Sequence, residues 1–404
     1  MKFTKIIAIL TASLLLAWLL PWTYNFIFSK PFESDLTLYS CVKKDFMTFE
    51  FHKKDVAGYD MEGNAYTPKE FDSLMPTLFY YELNKDNRLP KEIDGIEFDV
   101  HAVEMSNFVF RTSPSRLNRP SAGLYQLFDA TAACEALSTT PEDVFRVTDH
   151  GIEFINMARN EIDEKKSHRF TQLMRREGFE FPAKYLNAST EARKRYDNGY
   201  LILDQKGQLF QLKRYRYQPY FRKIDIPDSI HLTHVFVTEF ADHRLLGFLR
   251  DSEGGFYALE NEVYTLHRLP LRPIDPARQQ LVITGDMYYW NAIEETSRDE
   301  HITAINAQDY SFVKSHYTEF PRPEWDKRRE WFFPFRLQFT ASTDKYLKPR
   351  FKNFTHKSLG LNILLTVFYL WMRRRQRHKP WIASIAMLWL GIYLFVPLVM
   401  TDRK

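Results

Sequence analysis

Leu201-Ile202-Leu203-Asp204-Gln205-Lys206-Gly207-Gln208-Leu209-Phe210-Gln211-Leu212 and Phe248-Leu249-Arg250-Asp251-Ser252-Glu253-Gly254-Gly255-Phe256-Tyr257-Ala258-Leu259 carry one pattern. Each is an apolar run, an Asp-x-x-Gly turn, and a second apolar run. Glycine supplies the positive φ such a turn needs, and the Asp side chain can bond the backbone that follows. Tyr59-Asp60-Met61-Glu62-Gly63-Asn64-Ala65-Tyr66 is a third instance, and Val147 to Phe154 is a tighter hairpin of similar kind. The first two turns lie about 47 residues apart. Paired strands at that period suit propeller blades, and the length has room for up to about seven such units. The same pattern also fits ordinary hairpins in another mostly-β arrangement, so both stay open. The expected fold is mainly β with inserted helices.

Helix signals interrupt the strands. Thr67-Pro68-Lys69-Glu70 reads as N-cap, N1 proline and capping-box Glu, with Pro76 as the stop. Thr140-Pro141-Glu142-Asp143 reads as a similar short helical turn. The longest predicted helix runs from about Asn156 to Glu177 and ends at Gly178, with a ragged apolar stripe. Another turn is expected over Thr190 to Asp197.

Three apolar runs frame this β region: Ile6 to Phe28, Ser358 to Met372, and Trp381 to Met400. A spanning helix needs about 20 mainly apolar residues. The first and third runs meet that; the second is short and must thin the bilayer or snorkel His356 and Lys357. The expected organisation is an N-terminal transmembrane anchor over 1–29, an extracytoplasmic mostly-β domain over 30–357, and a transmembrane helical hairpin over 358–404. Lys2, Lys5 and the basic loop Arg373-Arg374-Arg375-Gln376-Arg377-His378-Lys379 lie where cytoplasmic charges belong. This places the N-terminus inside, and the β domain and C-terminus outside, at a bacterial inner membrane. Leu19-Leu20-Pro21-Trp22 offers no small-x-small cleavage site, which favours an uncleaved anchor over a signal peptide.

The formal net charge of +4 is carried by the membrane-flanking segments, leaving the β domain mildly acidic. That excludes nucleic-acid binding by charge. The two cysteines, Cys41 and Cys134, lie in a compartment that permits a disulfide; spacing alone leaves bridge and free thiols open.

No constellation specifies a reaction. His231-Leu232-Thr233-His234 lies in a strand-like run where the two rings diverge, and no acidic residue makes it a zincin motif. Gly-x-Ser-x-Gly and phosphate-loop patterns are absent from the sequence. Asp60 to Asn64 lacks the oxygens of a calcium loop and reads as a turn. Arg214-Tyr215-Arg216-Tyr217-Gln218-Pro219-Tyr220-Phe221-Arg222-Lys223 reads as a strand with cations and aromatics on separate faces, or as a partner patch. Pro323 to Phe335 reads as an interfacial or partner-gripping segment, or as a core segment under a charged face. No catalytic, cofactor-binding or metal-binding residue is nominated, and no cofactor is expected.

Leu38-Tyr39-Ser40-Cys41, Asp60 to Thr67, Phe71-Asp72-Ser73-Leu74-Met75-Pro76, Phe145-Arg146-Val147 and Tyr196-Asp197-Asn198-Gly199-Tyr200, with one span before and two after, resemble an uncharacterised bacterial membrane-anchored family, domain-of-unknown-function family 4857. The resemblance brings no catalytic residues; it implies only the context of ATP-binding-cassette export systems. The expected function is a non-enzymatic inner-membrane accessory protein. Its outer domain binds a membrane-protein partner in an export or envelope complex, such as an ATP-binding-cassette exporter. A permease-like subunit served by a separate ATPase and an extracytoplasmic hydrolase are the alternatives.

Overall fold

The computed structural model describes residues 2–30, 35–118, 123–130, 141–189, 196–275, 279–341, 344–374 and 381–402. Two compact units emerge: Asp35–Thr318, and Met1–Ser34 with Glu319–Lys404.

The larger unit is mainly β, built from antiparallel sheets of sequential strands. Sheet A holds Thr37–Ser40, Asp45–Phe49, Gly58–Asp60 and Ala65–Tyr66; sheet B holds Asp143–Val147, Ile152–Asn156 and Glu161–Ile162. Sheet C holds Tyr185–Ala188, Tyr200–Leu203, Leu209–Tyr215 and Gln218–Ile224; sheet D holds Leu232–Val237, Leu245–Asp251, Phe256–Glu260 and Leu266–Arg268. Sheet E holds Gln280–Gly285, Tyr289–Glu295, Asp299–Asn306 and Phe312–Glu319, and is completed by Phe108–Thr112 from earlier in the chain, with Phe110 opposite Ile283.

Strand periodicity explains how these sheets stack. Successive side chains leave a strand on opposite faces. In sheet C, Tyr200 and Ile202 pack with Phe145 and Phe154 of sheet B, while Leu201 and Leu203 pack with Val235 and Leu249 of sheet D. In sheet E, Trp290 and Ala292 meet Phe248 and Phe256 of sheet D, while Ile293, Ile302 and Ala304 meet Phe46 and Met47 of sheet A. The hydrophobic layers therefore run B–C–D–E–A. A sheet covered on both faces must be apolar on both, which is why Leu201–Leu203 is an unbroken apolar run. Each large side chain so buried contributes roughly 1.5–3 kcal/mol.

The three Asp turns share one geometry. Oδ1 of Asp60, Asp204 and Asp251 accepts the backbone N–H groups two and four residues on: 3.1 and 2.9 Å for Asp60, 2.9 and 2.8 Å for Asp204, 2.9 and 2.7 Å for Asp251. Gly63, Gly207 and Gly254 have φ of 85°, 85° and 90°. The capping-box helix is also present, over Pro68–Leu74 with Met75 as C-cap.

Two helix expectations are corrected. The long helix spans Glu164–Arg176, not Asn156 to Glu177. Asn156 ends a strand, Asn160 turns with φ 53°, Glu161–Ile162 pairs back on Ile155–Asn156, and Asp163 caps the helix by accepting Lys166 N–H at 3.0 Å. Asp143 begins a strand of sheet B where a short helical turn was expected, and Thr140, its expected cap, lies outside the described residues. Thr190 to Arg195, Cys134, and Arg375 to Pro380 of the basic loop lie outside the described residues.

The smaller unit is mainly helical, with one two-stranded sheet of Arg336–Gln338 and Arg350–Lys352. Lys2–Phe28 is long and apolar enough to cross a membrane, and most of its side chains are exposed. The second apolar run forms Leu359–Met372, 14 residues. The third is not one helix: Gly391, with φ 52°, divides it into Trp381–Leu390 and Ile392–Asp402. Among the described residues one helix, not three, has spanning length. The Pro323–Phe335 segment forms helix Glu324–Phe332 beside the end of the first helix. Arg329 is buried there, donating to Asn25 Oδ1 at 3.1 Å and pairing with Asp326 at 2.6 Å.

Candidate functional site

Sheets A and E meet along edges set by short turns. Ser40 ends the first strand of sheet A, and its hydroxyl accepts Lys43 N–H at 2.9 Å and Val42 N–H at 3.2 Å. This tight turn presents Cys41 and Lys44, the latter with φ 58°. In sheet E, Asp286 Oδ1 accepts the N–H groups of Tyr288 and Tyr289 at 2.7 and 2.9 Å. Just before it, Gly285 lies so close to Trp290 that a Cβ would stand 2.3 Å from the indole. Tyr39 N–H donates to Asn291 Oδ1 at 2.7 Å, tying the two sheets together.

Between them lies a cavity of about 330 Å³. Tyr39, Cys41, Phe108, Asp286, Tyr289 and Asn291 line it, with Thr77 and Asn107 closing one side. Burial pushes the Asp286 carboxyl above the usual carboxylate range, against the hydrogen bond from Thr77 and those from Tyr289 and Tyr288. Burial, then the charge of Asp286, pushes the Cys41 thiol up to about 12. A thiol so held is protonated at neutral pH and is a poor nucleophile. At the rim, Lys44 and the Tyr289 hydroxyl both reach Asp94 at 2.5 Å. Their hydrogen bonds hold the Asp94 carboxyl below its ordinary value although burial alone would raise it. The cavity thus presents a carboxyl group, amides and hydroxyls on a mainly apolar, aromatic lining: the equipment of a small-molecule binding site.

The residues considered in the sequence lie elsewhere. His231 precedes, and His234 lies within, a strand of sheet D. His234 sits edge-on to Tyr185 with ring centroids 5.2 Å apart, and burial, then Arg250, lowers its pKa. Asp60 is a turn residue: beyond its backbone partners, Oδ2 accepts from Tyr66 at 2.8 Å, Asn64 at 3.0 Å and Lys43 at 3.1 Å. Among the described residues, no group of three or more His, Cys, Asp or Glu is placed to hold a metal ion. Arg214 to Lys223 forms the outer hairpin of sheet C, turning at Arg216 and Tyr217 with φ 49° and 60°. Of the cavity residues, the sequence drew attention only to Leu38, Tyr39, Cys41 and Met75, for a family resemblance and, at Cys41, a disulfide left open, and not for a site. The one local signal was Gly285-Asp286 before Tyr288-Tyr289-Trp290, a further Asp turn entering an aromatic strand.

A family described as "Domain of unknown function (DUF4857)" matches residues 36–305, and the chain belongs to that family. No curated protein matches. Among solved structures, the chain is similar to PorZ, a surface component of the type-IX secretion system of Porphyromonas gingivalis. Identity is 11%, covering 72% of this chain and 33% of PorZ, with a TM-score of 0.23. It is also similar to the WD40 domain of SCAP from fission yeast, at 7% identity over 78% of this chain and 66% of that one, TM-score 0.27. The Cps50 (Swd1) β-propeller domain of Myceliophteria thermophila matches at 8% identity over 51% and 90%, TM-score 0.19. This chain spans about a third of PorZ, and at these scores the likenesses carry no argument about function.

Proposed function

We propose that this chain is a membrane-anchored binding protein: a non-enzymatic accessory subunit whose β domain, a propeller-like row of blades, lies outside the inner membrane and holds a partner there. The carrying observation is the cavity between sheets A and E, rich in hydrogen-bonding groups and holding a protonated thiol rather than an activated one. The sequential strand order within sheets A to D, and in sheet E apart from Phe108–Thr112, together with the face-to-face layers supports the blade reading. The helix Lys2–Phe28 supports the anchor, and the charges beside the apolar runs support its orientation. The reading puts that partner in an export or envelope complex, the setting open to a domain outside the inner membrane.

A permease-like subunit is the second reading, favoured by one observation. Asn362 is buried within the helical unit, and its Nδ2 donates to Leu388 O at 2.9 Å beside the break at Gly391. Buried polar groups at broken apolar helices mark transport paths as well as packing contacts.

The test is affinity purification of the full chain from cross-linked membranes, beside an Asn107→Leu variant that makes the cavity wall apolar. The binding reading expects a defined partner with the parent and its loss with the variant. A chain recovered alone from both preparations would refute it.

A further inference from the structure

The exposed face of helix Glu164–Arg176 is cationic, on a domain that is mildly acidic as a whole. Ser167, Phe170 and Met174 point inward, fixing that face against the core. Lys165, Arg169, Gln172 and Arg176 then recur at helical spacing on the outer side, with Arg175 beside them. Opposite stands the hairpin of sheet C, whose tip is anchored by buried Asp129: it accepts Arg216 N–H at 3.2 Å and Tyr217 N–H at 2.5 Å, and pairs with Arg214 at 3.5 Å.

Two hollows lie between helix and hairpin. One is lined by Lys165, Lys166, Arg169, Phe170, Arg214 and Tyr217, with Asp163; the other by Arg169, Leu173, Arg175, Arg176, Gln218 and Pro219. Arg169 belongs to both and donates to the Gln218 side chain across the gap, so they form one groove along the helix. Part of its charge is already answered: Lys166 pairs with Asp143 at 2.5 Å, Arg214 with Asp129, and Arg176 with Glu177 at 3.5 Å. Among the described residues no carboxylate pairs with Lys165, Arg169 or Arg175. Arg175 donates to a backbone oxygen, that of His150, at 2.7 Å.

We propose that this groove binds an extended acidic peptide segment of a protein partner. Three observations choose that occupant. Unanswered guanidinium and ammonium groups call for carboxylates. A 13-residue helix is about 20 Å long, the reach of roughly six extended residues and far more than one small anion needs. Among the cations stand Leu173, Pro219 and the largely exposed Tyr217 ring, a mixture that an acidic chain with interspersed apolar side chains matches. The inference deepens the binding reading but rests on a surface separate from the cavity, so either can fail alone.

The test uses the full chain in detergent with a fluorescent peptide of alternating Glu and Leu. A Lys-for-Glu peptide, inorganic phosphate and phosphatidylglycerol vesicles serve as the other arms. The acidic peptide alone is expected to bind. Affinity should fall with added salt, as expected of exposed charges, and drop at least roughly tenfold in Lys165→Glu/Arg169→Glu. Both side chains are exposed, so the variant's unfolding transition should match the parent's. Absence of binding by the acidic peptide, equal binding of the Lys peptide, an unaffected variant, or binding of vesicles or phosphate instead would each overturn the proposal.

Discussion

Replacing Asp251 by Ala tests how the turns hold the stack together. Its carboxylate accepts Glu253 N–H at 2.9 Å, Gly255 N–H at 2.7 Å and the Tyr257 hydroxyl at 2.7 Å. Glu253 can turn to water, but Gly255 and Tyr257 are buried. Leaving two buried donors unsatisfied costs about 1–3 kcal/mol each, so Asp251→Ala should lose about 3–5 kcal/mol. That is a large part of a typical margin of roughly 5–15 kcal/mol. Asp204 makes the same two backbone bonds, but its Oδ2 accepts only a 3.3 Å contact from Glu180 N–H, so Asp204→Ala should cost less, about 1–2 kcal/mol. Urea unfolding of the full chain in detergent measures this, with fluorescence reporting on buried Trp290 in the D–E layer. In a Tyr257→Phe background the Asp251 effect should shrink by about 1–2 kcal/mol. An Asp251→Ala variant within about 0.5 kcal/mol of its parent, or no coupling to Tyr257, would refute the reasoning.

Three further outcomes follow. Gly254→Val and Gly207→Val both place a β-branched residue at positive φ, at about 1–3 kcal/mol. Gly254→Val should be the worse of the two on chemical denaturation, because its Cβ meets Pro273 and the Ile274 backbone at 3.0 Å while Gly207 faces open space. Glu300 lies directly opposite Glu295, and burial, then that neighbour, raises its pKa to about 7. The folded state therefore keeps a proton that the unfolded chain gives up near pH 4.3, and stability falls as pH rises between those values. Glu300→Gln should match the parent below about pH 4 and exceed it by about 1 kcal/mol at pH 8 in urea titrations. At Gly391 a Cβ would stand 2.0 Å from Asn362 Oδ1, so Gly391→Leu should lower the melting temperature in detergent, and Asn362→Ala should partly restore it.

The local turns were legible because their determinants lie within five residues: an Asp acceptor, a glycine for positive φ, and apolar runs on either side. The capping box at Thr67 was legible for the same reason. Asn156 to Asp163 was misread because a hairpin and a helix share one polar segment. The deciding features, left-handed Asn160 and the N-cap at Asp163, are single residues that an averaged apolar stripe hides. Composition marked the third apolar run as one span because Gly391 barely alters its hydropathy, while its backbone angle ends the helix. The cavity was out of reach. Tyr39, Cys41, Asn107, Asp286 and Asn291 are gathered from three segments, the outermost about 250 residues apart, joined only when sheets A and E pack.

Central to the proposed function is a β domain held outside the membrane by its N-terminal helix. A reporter enzyme active only outside the cytosol, fused after Thr355, tests it most directly. Full reporter activity is expected, with the fusion retained in the membrane fraction and activity lost when residues 2–28 are removed. An inactive reporter on a stably produced, membrane-bound fusion would place the β domain in the cytosol and contradict it.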